Sequence, residues 1–385
     1  MRSGRSVSGA WTCRSHRRVS GRCCKKEKGA LLRNSRLWTR WKGFRNAPPP
    51  VRLAHVPAPR CHVVLLDGTM SSLRRGWETN IGLTYRLLSE LGPSSNVTLY
   101  YEPGIQWRGY RRAVEVLAGV GIDRQIKRAY VFLARNYRPG DRIVLMGFSR
   151  GAYAVRSLAG LIDRMGLLRA AQVEEETLAR VYEHYRSDPD GPRAAALRAA
   201  LCHPQVPIAF LGAYDTVRAL GLRWPLVWRF MQQAHPYHSD ALGPSTLQAR
   251  HALAMDETRD VYAPVLWSVP EARAGQVQQM WFRGAHGDIG GQLGGWRAAR
   301  PLANIPLVWM LTEAEAAGLP LPEHWRMRYI TDVSAPSVGT TSGWGKMFLS
   351  RHRRVIGRDP SERIHPTARA AAVAAGRVLP PVGVT

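Results

Sequence analysis

The chain has 385 residues, 45% hydrophobic and 22% charged, with mean hydropathy −0.25, which supplies a sizeable core and excludes a wholly disordered chain. No apolar run reaches 18 residues, so a membrane-spanning helix is excluded on length. Of 55 Lys and Arg and 28 Asp and Glu, 14 basic residues but only Glu27 among the acidic ones fall in the first 50 positions, leaving a basic surplus on the rest of the chain as well.

A surplus of that sign draws in polyanions such as anionic lipid headgroups, but it specifies no chemistry. No specific nucleic-acid partner is expected. The five cysteines include Cys13, Cys23 and Cys24 in the basic leader, with Cys61 and Cys202 far apart. No CxxC pair occurs, so neither a disulfide framework nor a structural zinc site is expected.

Residues 1–54 show no hydrophobic periodicity and run into Pro48-Pro49-Pro50. They read as a basic, disordered leader. No apolar stretch of roughly 7–15 residues follows the basic start, so a secretory signal is not expected and the chain should reside in the cytoplasm of the producing cell.

From residue 61, short apolar runs alternate with segments of helical period. The strands expected are Cys61–Leu66, Val97–Tyr101, Arg142–Met146, Ile208–Gly212 and Val277–Phe282. Helices are expected over Asn80–Leu91, Ala152–Met165, Val173–Arg186 and Ile305–Ala317. Ile122, Ile126, Ala129, Tyr130, Leu133 and Tyr137 mark a crossover helix that feeds the Arg142 strand. This rhythm predicts an α/β fold with a doubly wound, mostly parallel sheet. The segments near 170–205 and 217–250 interrupt the alternation and are expected to form helical caps over a pocket.

Gly147-Phe148-Ser149-Arg150-Gly151 fits G-x-S-x-G between a strand and a helix, the setting in which a serine Oγ is held exposed on a sharp turn. A serine at its free pKa is a poor nucleophile, so a carboxylate and a histidine should follow in the order Ser, Asp, His. Asp215 follows the Ile208 strand and His286 follows the Val277 strand. Two backbone N–H groups should form an oxyanion hole, one from Arg150 and the other from the Asp67-Gly68-Thr69 turn, at Gly68 or Thr69. Asp215 could instead cap a helix, and Asp67, His286 and Asp288 could serve a metal-dependent phosphoesterase. Trp224, Trp228 and His238, in the second cap segment, are candidate substrate or lid residues. No cofactor is expected.

With these residues placed, the chain resembles the α/β-hydrolase domain of the type VI secretion phospholipase effectors, the class 1 secreted lipases. The resemblance is carried by Leu66-Asp67-Gly68-Thr69, Thr79-Asn80, Tyr100-Tyr101-Glu102-Pro103-Gly104 and Gly147-Phe148-Ser149-Arg150-Gly151-Ala152-Tyr153. It continues in Asp215-Thr216-Val217, in His251 to Arg259, and in Trp281-Phe282-Arg283-Gly284-Ala285-His286-Gly287-Asp288-Ile289-Gly290-Gly291.

These blocks run from about residue 61 to 320, and we expect an α/β-hydrolase domain over residues 55–330, with residues 331–385 as a C-terminal extension. The resemblance implies Ser149, Asp215 and His286 as catalytic residues and a phospholipase acting at a membrane surface. A secretion apparatus and an immunity protein are the partners implied for an effector, with delivery to a target cell. The rival is a soluble carboxylesterase using the same three residues.

Overall fold

The computed structural model describes residues 59–92, 95–104, 120–217, 242–273, 275–341 and 350–382. The basic leader lies outside them, as do Trp224, Trp228 and His238.

Seven strands form one sheet: β1 (Cys61–Leu66), β2 (Val97–Glu102), β3 (Arg142–Phe148), β4 (Ile208–Tyr214), β5 (Ala249–Ala254), β6 (Val277–Phe282) and β7 (Glu362–Ile364). Their order is β2-β1-β3-β4-β5-β6-β7, and every pairing is parallel. The helices are α1 (Asn80–Ser89), α2 (Val120–Asn136), α3 (Arg150–Met165), α4 (Glu175–Ser187), α5 (Pro192–Leu201), α6 (His286–Gly290), α7 (Arg300–Ala316) and α8 (Pro366–Ala374). Together they make an α/β fold of hydrolase type.

The strands are buried on both faces because helices cover both. On one side Ile81 and Leu88 of α1 and Leu302, Ile305 and Met310 of α7 pack with Val63, Leu65, Val144 and Met146. On the other, Ala368 and Ala372 of α8 pack with Leu253 and Trp281. The alternation along each strand sends adjacent residues to opposite cores. Among the described residues, no helix is long and apolar enough to cross a membrane.

Strand order reverses at β1 and β3, which lie side by side although β2 separates them in sequence. Connections from such neighbours leave in opposite directions and open a crevice at the strand C-termini. Asp67 follows β1, Ser149 follows β3, Asp215 follows β4, and His286 lies four residues beyond β6. One edge of the sheet therefore gathers residues spread over more than 200 positions of sequence.

Two strands escaped the sequence pattern. β5 reads ARHALA, poor in β-branched residues, and β7 has only three residues. Residues 331–385, expected as an extension, supply β7 as the seventh strand and α8 on its face. The 170–205 segment forms α4 and α5. The Tyr185 hydroxyl of α4 would lie 3.2 Å from a Cβ on Gly160, and Leu168 bridges to Cys202. The helix pair thus covers the end of α3 remote from Ser149.

Candidate active site

The turn from β3 to α3 is dictated by two glycines. A Cβ on Gly147 would stand 2.4 Å from the Gly151 carbonyl oxygen, and one on Gly151 would stand 2.1 Å from the Leu66 carbonyl oxygen. Both obstacles are backbone, so neither can move aside. Between them Ser149 holds φ 57° and ψ −117°, a strained conformation for a residue with a side chain. Its N–H is fixed to the Tyr214 carbonyl at 2.9 Å, which ties the turn to the end of β4.

Ser149 Oγ lies 2.9 Å from His286 Nε2, and His286 Nδ1 lies 2.6 Å from Asp215 Oδ2. An ionised carboxylate only accepts, so Nδ1 carries the ring proton and donates it to Asp215, which leaves Nε2 as the acceptor for the Ser149 hydroxyl. All three residues are buried, Asp215 completely. Asp215 also accepts from the Ala254 N–H at 3.0 Å and from Arg354, Nη1 to Oδ1 at 2.6 Å and Nη2 to Oδ2 at 3.0 Å. Burial works against the carboxylate charge, but Arg354 and the His286 ring override it and hold the carboxyl well below the usual carboxylate range.

The imidazole is flanked by aromatic rings. Phe148 lies 4.8 Å from it and Tyr262 4.6 Å, centroid to centroid. The His286 N–H donates to Glu257 Oε2 at 3.1 Å, and Arg259 pairs with the same carboxylate. Burial again opposes the charge of Glu257, and its bonds to Arg259 prevail and lower its pKa. Asp288 bonds elsewhere: it accepts from the N–H groups of Ala285 and Val338 and from the Ser337 hydroxyl, pinning the loop that carries His286.

The candidate oxyanion donors need one correction. Gly68 donates its N–H to Asp67 Oδ1 at 2.7 Å and is not available to a substrate. The Arg150 and Thr69 N–H groups find no acceptor among the described residues, and both remain candidates. Thr69 is anchored to the His286 loop by Gln292, whose Nε2 donates to the Thr69 carbonyl at 2.8 Å. Its own buried Oγ1 has no partner among the described residues.

Asp67 is fully buried and also accepts from the hydroxyls of Thr79 and Tyr101. Burial pushes its carboxyl up to about 6 despite these bonds. Asp67 and Asp288 are thus engaged on separate partners. Among the described residues no three His, Cys, Asp or Glu side chains gather at metal-binding distances. The proposed trio of Asp67, His286 and Asp288 does not form such a cluster.

Arg354, Glu257 and Tyr262 were not expected at the site. Arg354 belongs to an arginine-rich run, RHRRVIGR, in which nothing marks one arginine over the next. Glu257 and Arg259 do stand in a block that carries the family resemblance, a signal that could have directed attention to them.

A known family matches residues 60–313: the type VI secretion system phospholipase effector Tle1-like catalytic domain. A Saccharomyces cerevisiae protein, "Uncharacterized protein YEL023C", is 30% identical over 222 residues, covering 51% of this chain and 31% of its own length. Among solved structures, the Tle1 effector bound to the VgrG spike is 19% identical with a TM-score of 0.34, covering 68% of this chain and 55% of that one. An uncharacterized protein from Pseudomonas aeruginosa is 15% identical with a TM-score of 0.41, covering 71% and 49%. The chain thus spans about a third of the yeast relative and about half of each of these two solved proteins. The match over residues 60–313 places the chain in the family of Tle1-like phospholipase effector catalytic domains.

Proposed function

We propose that the protein is a serine hydrolase that cleaves carboxylic esters of membrane glycerophospholipids through an acyl-enzyme. The observation that carries this reading is the continuous line from Ser149 Oγ through His286 to Asp215, at 2.9 and 2.6 Å. Ser149 Oγ attacks the acyl carbonyl as its proton passes to His286 Nε2. The Arg150 and Thr69 N–H groups receive the developing oxyanion, and Asp215 balances the imidazolium. Collapse returns the proton to the leaving alcohol, releasing a lysophospholipid. Water activated by the same imidazole then frees the fatty acid and restores Ser149.

The lipid substrate is supported by family membership and by the surface beside the candidate oxyanion turn. Met70, Trp77 and Trp296 are half-exposed, and Arg74 lies over the Trp77 ring. Aromatic residues with cationic neighbours suit the headgroup layer of a bilayer. The family description likewise supports delivery to a target cell by a type VI secretion apparatus as the proposed route.

The test is to incubate the protein with a fluorophosphonate probe and with mixed phospholipid vesicles. Labelling at Ser149 together with release of fatty acid and lysophospholipid is expected. Turnover of soluble esters with no phospholipid product would instead establish a carboxylesterase, and chelator-sensitive phosphate release without labelling would overturn the serine mechanism.

A further inference from the structure

Arg150 begins α3 directly after Ser149. Its side chain has a character separate from that of its backbone N–H. The residue is only 9% exposed, yet its guanidinium meets no carboxylate and no hydrogen-bond acceptor among the described residues. Other withdrawn arginines near the site are engaged. Arg354 grips Asp215, Arg259 grips Glu257, and Arg300 donates to Asn80 Oδ1 and to the carbonyls of Glu78 and Gly291.

Tyr262 is near enough to Arg150 to act on it electrostatically, and its ring lies 4.6 Å from the His286 imidazole. Arg150 is also the residue next to Ser149, whose Oγ lies 2.9 Å from His286 Nε2. Burial brings the Arg150 pKa down to about 10, so the group still carries its charge at neutral pH. It also stands at the positive end of a 16-residue helix, where the macrodipole disfavours a cation. Desolvation, the lack of a counter-charge and the helix dipole all weigh against an arginine here, and an anion would relieve all three.

We propose that the Arg150 guanidinium forms a subsite for an anionic phosphate group of the substrate, beside the ester that Ser149 attacks. The subsite rests on the serine-hydrolase reading above and narrows it to esters that carry a phosphate. A guanidinium suits such a group because its fork of N–H donors matches two phosphate oxygens.

The test compares the full chain with Arg150→Met and Arg150→Lys. Inorganic phosphate at fixed ionic strength should raise the Tm of the wild type and not that of Arg150→Met. In phosphate-free buffer Arg150→Met should melt above the wild type, because an unpaired buried cation is gone; a merely structural arginine would show the reverse. The ratio of kcat/KM for phosphatidylglycerol to that for diacylglycerol, both in neutral-lipid vesicles, should fall at least tenfold in Arg150→Met and less in Arg150→Lys.

A second arm uses monoacylglycerol 3-phosphate below its micelle concentration. Loss there as well assigns the phosphate group itself, and loss on vesicles alone assigns the lipid headgroup at the interface. A lower Tm for Arg150→Met, or a substrate ratio within twofold of wild type, overturns the proposal. If the wild type cleaves no phospholipid but phosphate still protects it through Arg150, the phospholipase reading fails and the subsite stands. If phosphate does not protect the wild type, the subsite fails even where phospholipid is cleaved.

Discussion

Arg354 holds both carboxylate oxygens of Asp215, at 2.6 and 3.0 Å, while Oδ2 also receives the His286 Nδ1 proton. The second N–H of Nη1 goes to the Ala254 carbonyl and that of Nη2 to the Tyr262 carbonyl. The carboxylate that orients the imidazole is thereby fixed from a segment more than 100 residues away. The arrangement has a sign that can be checked. A carboxyl held below its ordinary value of about 3.9 contributes stability that is present above that value and is lost as pH falls toward the folded pKa. Removing one partner of a buried pair typically costs about 3–5 kcal/mol. Arg354→Met should therefore lower Tm at neutral pH and move acid unfolding to higher pH. It should also reduce ester turnover, because Asp215 loses its anchor. Melting curves from pH 3 to pH 7 test this, and an acid limb that coincides with wild type would contradict it.

Ser149 sits at positive φ with its side chain in the line to His286. Ser149→Ala should abolish ester hydrolysis with the fold retained, leaving only the residual rate due to binding and the oxyanion donors. Ser149→Gly should abolish it too and raise Tm, since strain of this kind is worth about 1–3 kcal/mol and glycine is free of it. Turnover near the wild-type rate in either variant would eliminate Ser149 as nucleophile.

Asp215 and Asp288 both stand near the His286 loop, and of the two only Asp215 meets the ring. Asp215→Asn should cost on the order of 10⁴ in kcat, because an amide there favours the wrong imidazole tautomer. Asp288 bonds instead to Ala285, Ser337 and Val338. Asp288→Asn should therefore cost far less in kcat and more in Tm. Kinetics on a soluble ester decide the ranking, and the reverse order would move the orienting role to Asp288.

Residues whose role depends on local chain geometry were legible in the sequence. G-x-S-x-G between an apolar run and a helical period announced the turn, and Asp215 and His286 were found because each follows an apolar run. Residues that act across the fold were not. Arg354 is one arginine in a cluster, and only the placement of the C-terminal segment beside β4 and β5 gives it a partner. Gly68 looked like an oxyanion donor until the bond from its N–H to the Asp67 carboxylate was visible, a side-chain contact that no spacing encodes. β5 was hidden because Arg250 and His251 interrupt its apolar run. Arg250 is accommodated by Glu313 at 2.6 Å, and His251, deeply buried and pushed down to about 3, stays neutral and accepts from the Thr216 N–H.

Asp67 gives a pH dependence of the opposite sign to Asp215. Its carboxyl is raised to about 6 by burial, so between roughly pH 4 and 6 the folded chain binds a proton that the unfolded chain releases. Stability from this group is then greatest at low pH and falls as pH rises, by about 3 kcal/mol in all at 1.36 kcal/mol per unit. Asp67→Asn removes the titration; its one amide oxygen keeps Thr79 together with either Gly68 or Tyr101, so any loss from the other bond is independent of pH. The Tm of this variant relative to wild type should be higher at pH 8 than at pH 4.5, and a difference that is flat with pH would show that Asp67 is ionised throughout.

The last prediction separates two kinds of glycine. At Gly140, φ is +94° and no atom lies within 4 Å of an added Cβ, so Gly140→Ala meets only backbone strain, about 1–2 kcal/mol. At Gly151 an added Cβ would sit 2.1 Å from the Leu66 carbonyl oxygen and 2.7 Å from that of Asp67. Relief there requires β1 and α3 to separate, which would move the Asp67-Gly68-Thr69 turn away from Ser149 and open the core between them. Gly151→Ala should thus lose more than about 4 kcal/mol, a range reached only when a specific packing element fails. Expression yield and melting temperature of the two variants, measured together, provide the comparison. Equal and modest shifts would mean that the turn is not held against β1 as tightly as this geometry requires, and the placement of the proposed oxyanion donors beside Ser149 would fall with it.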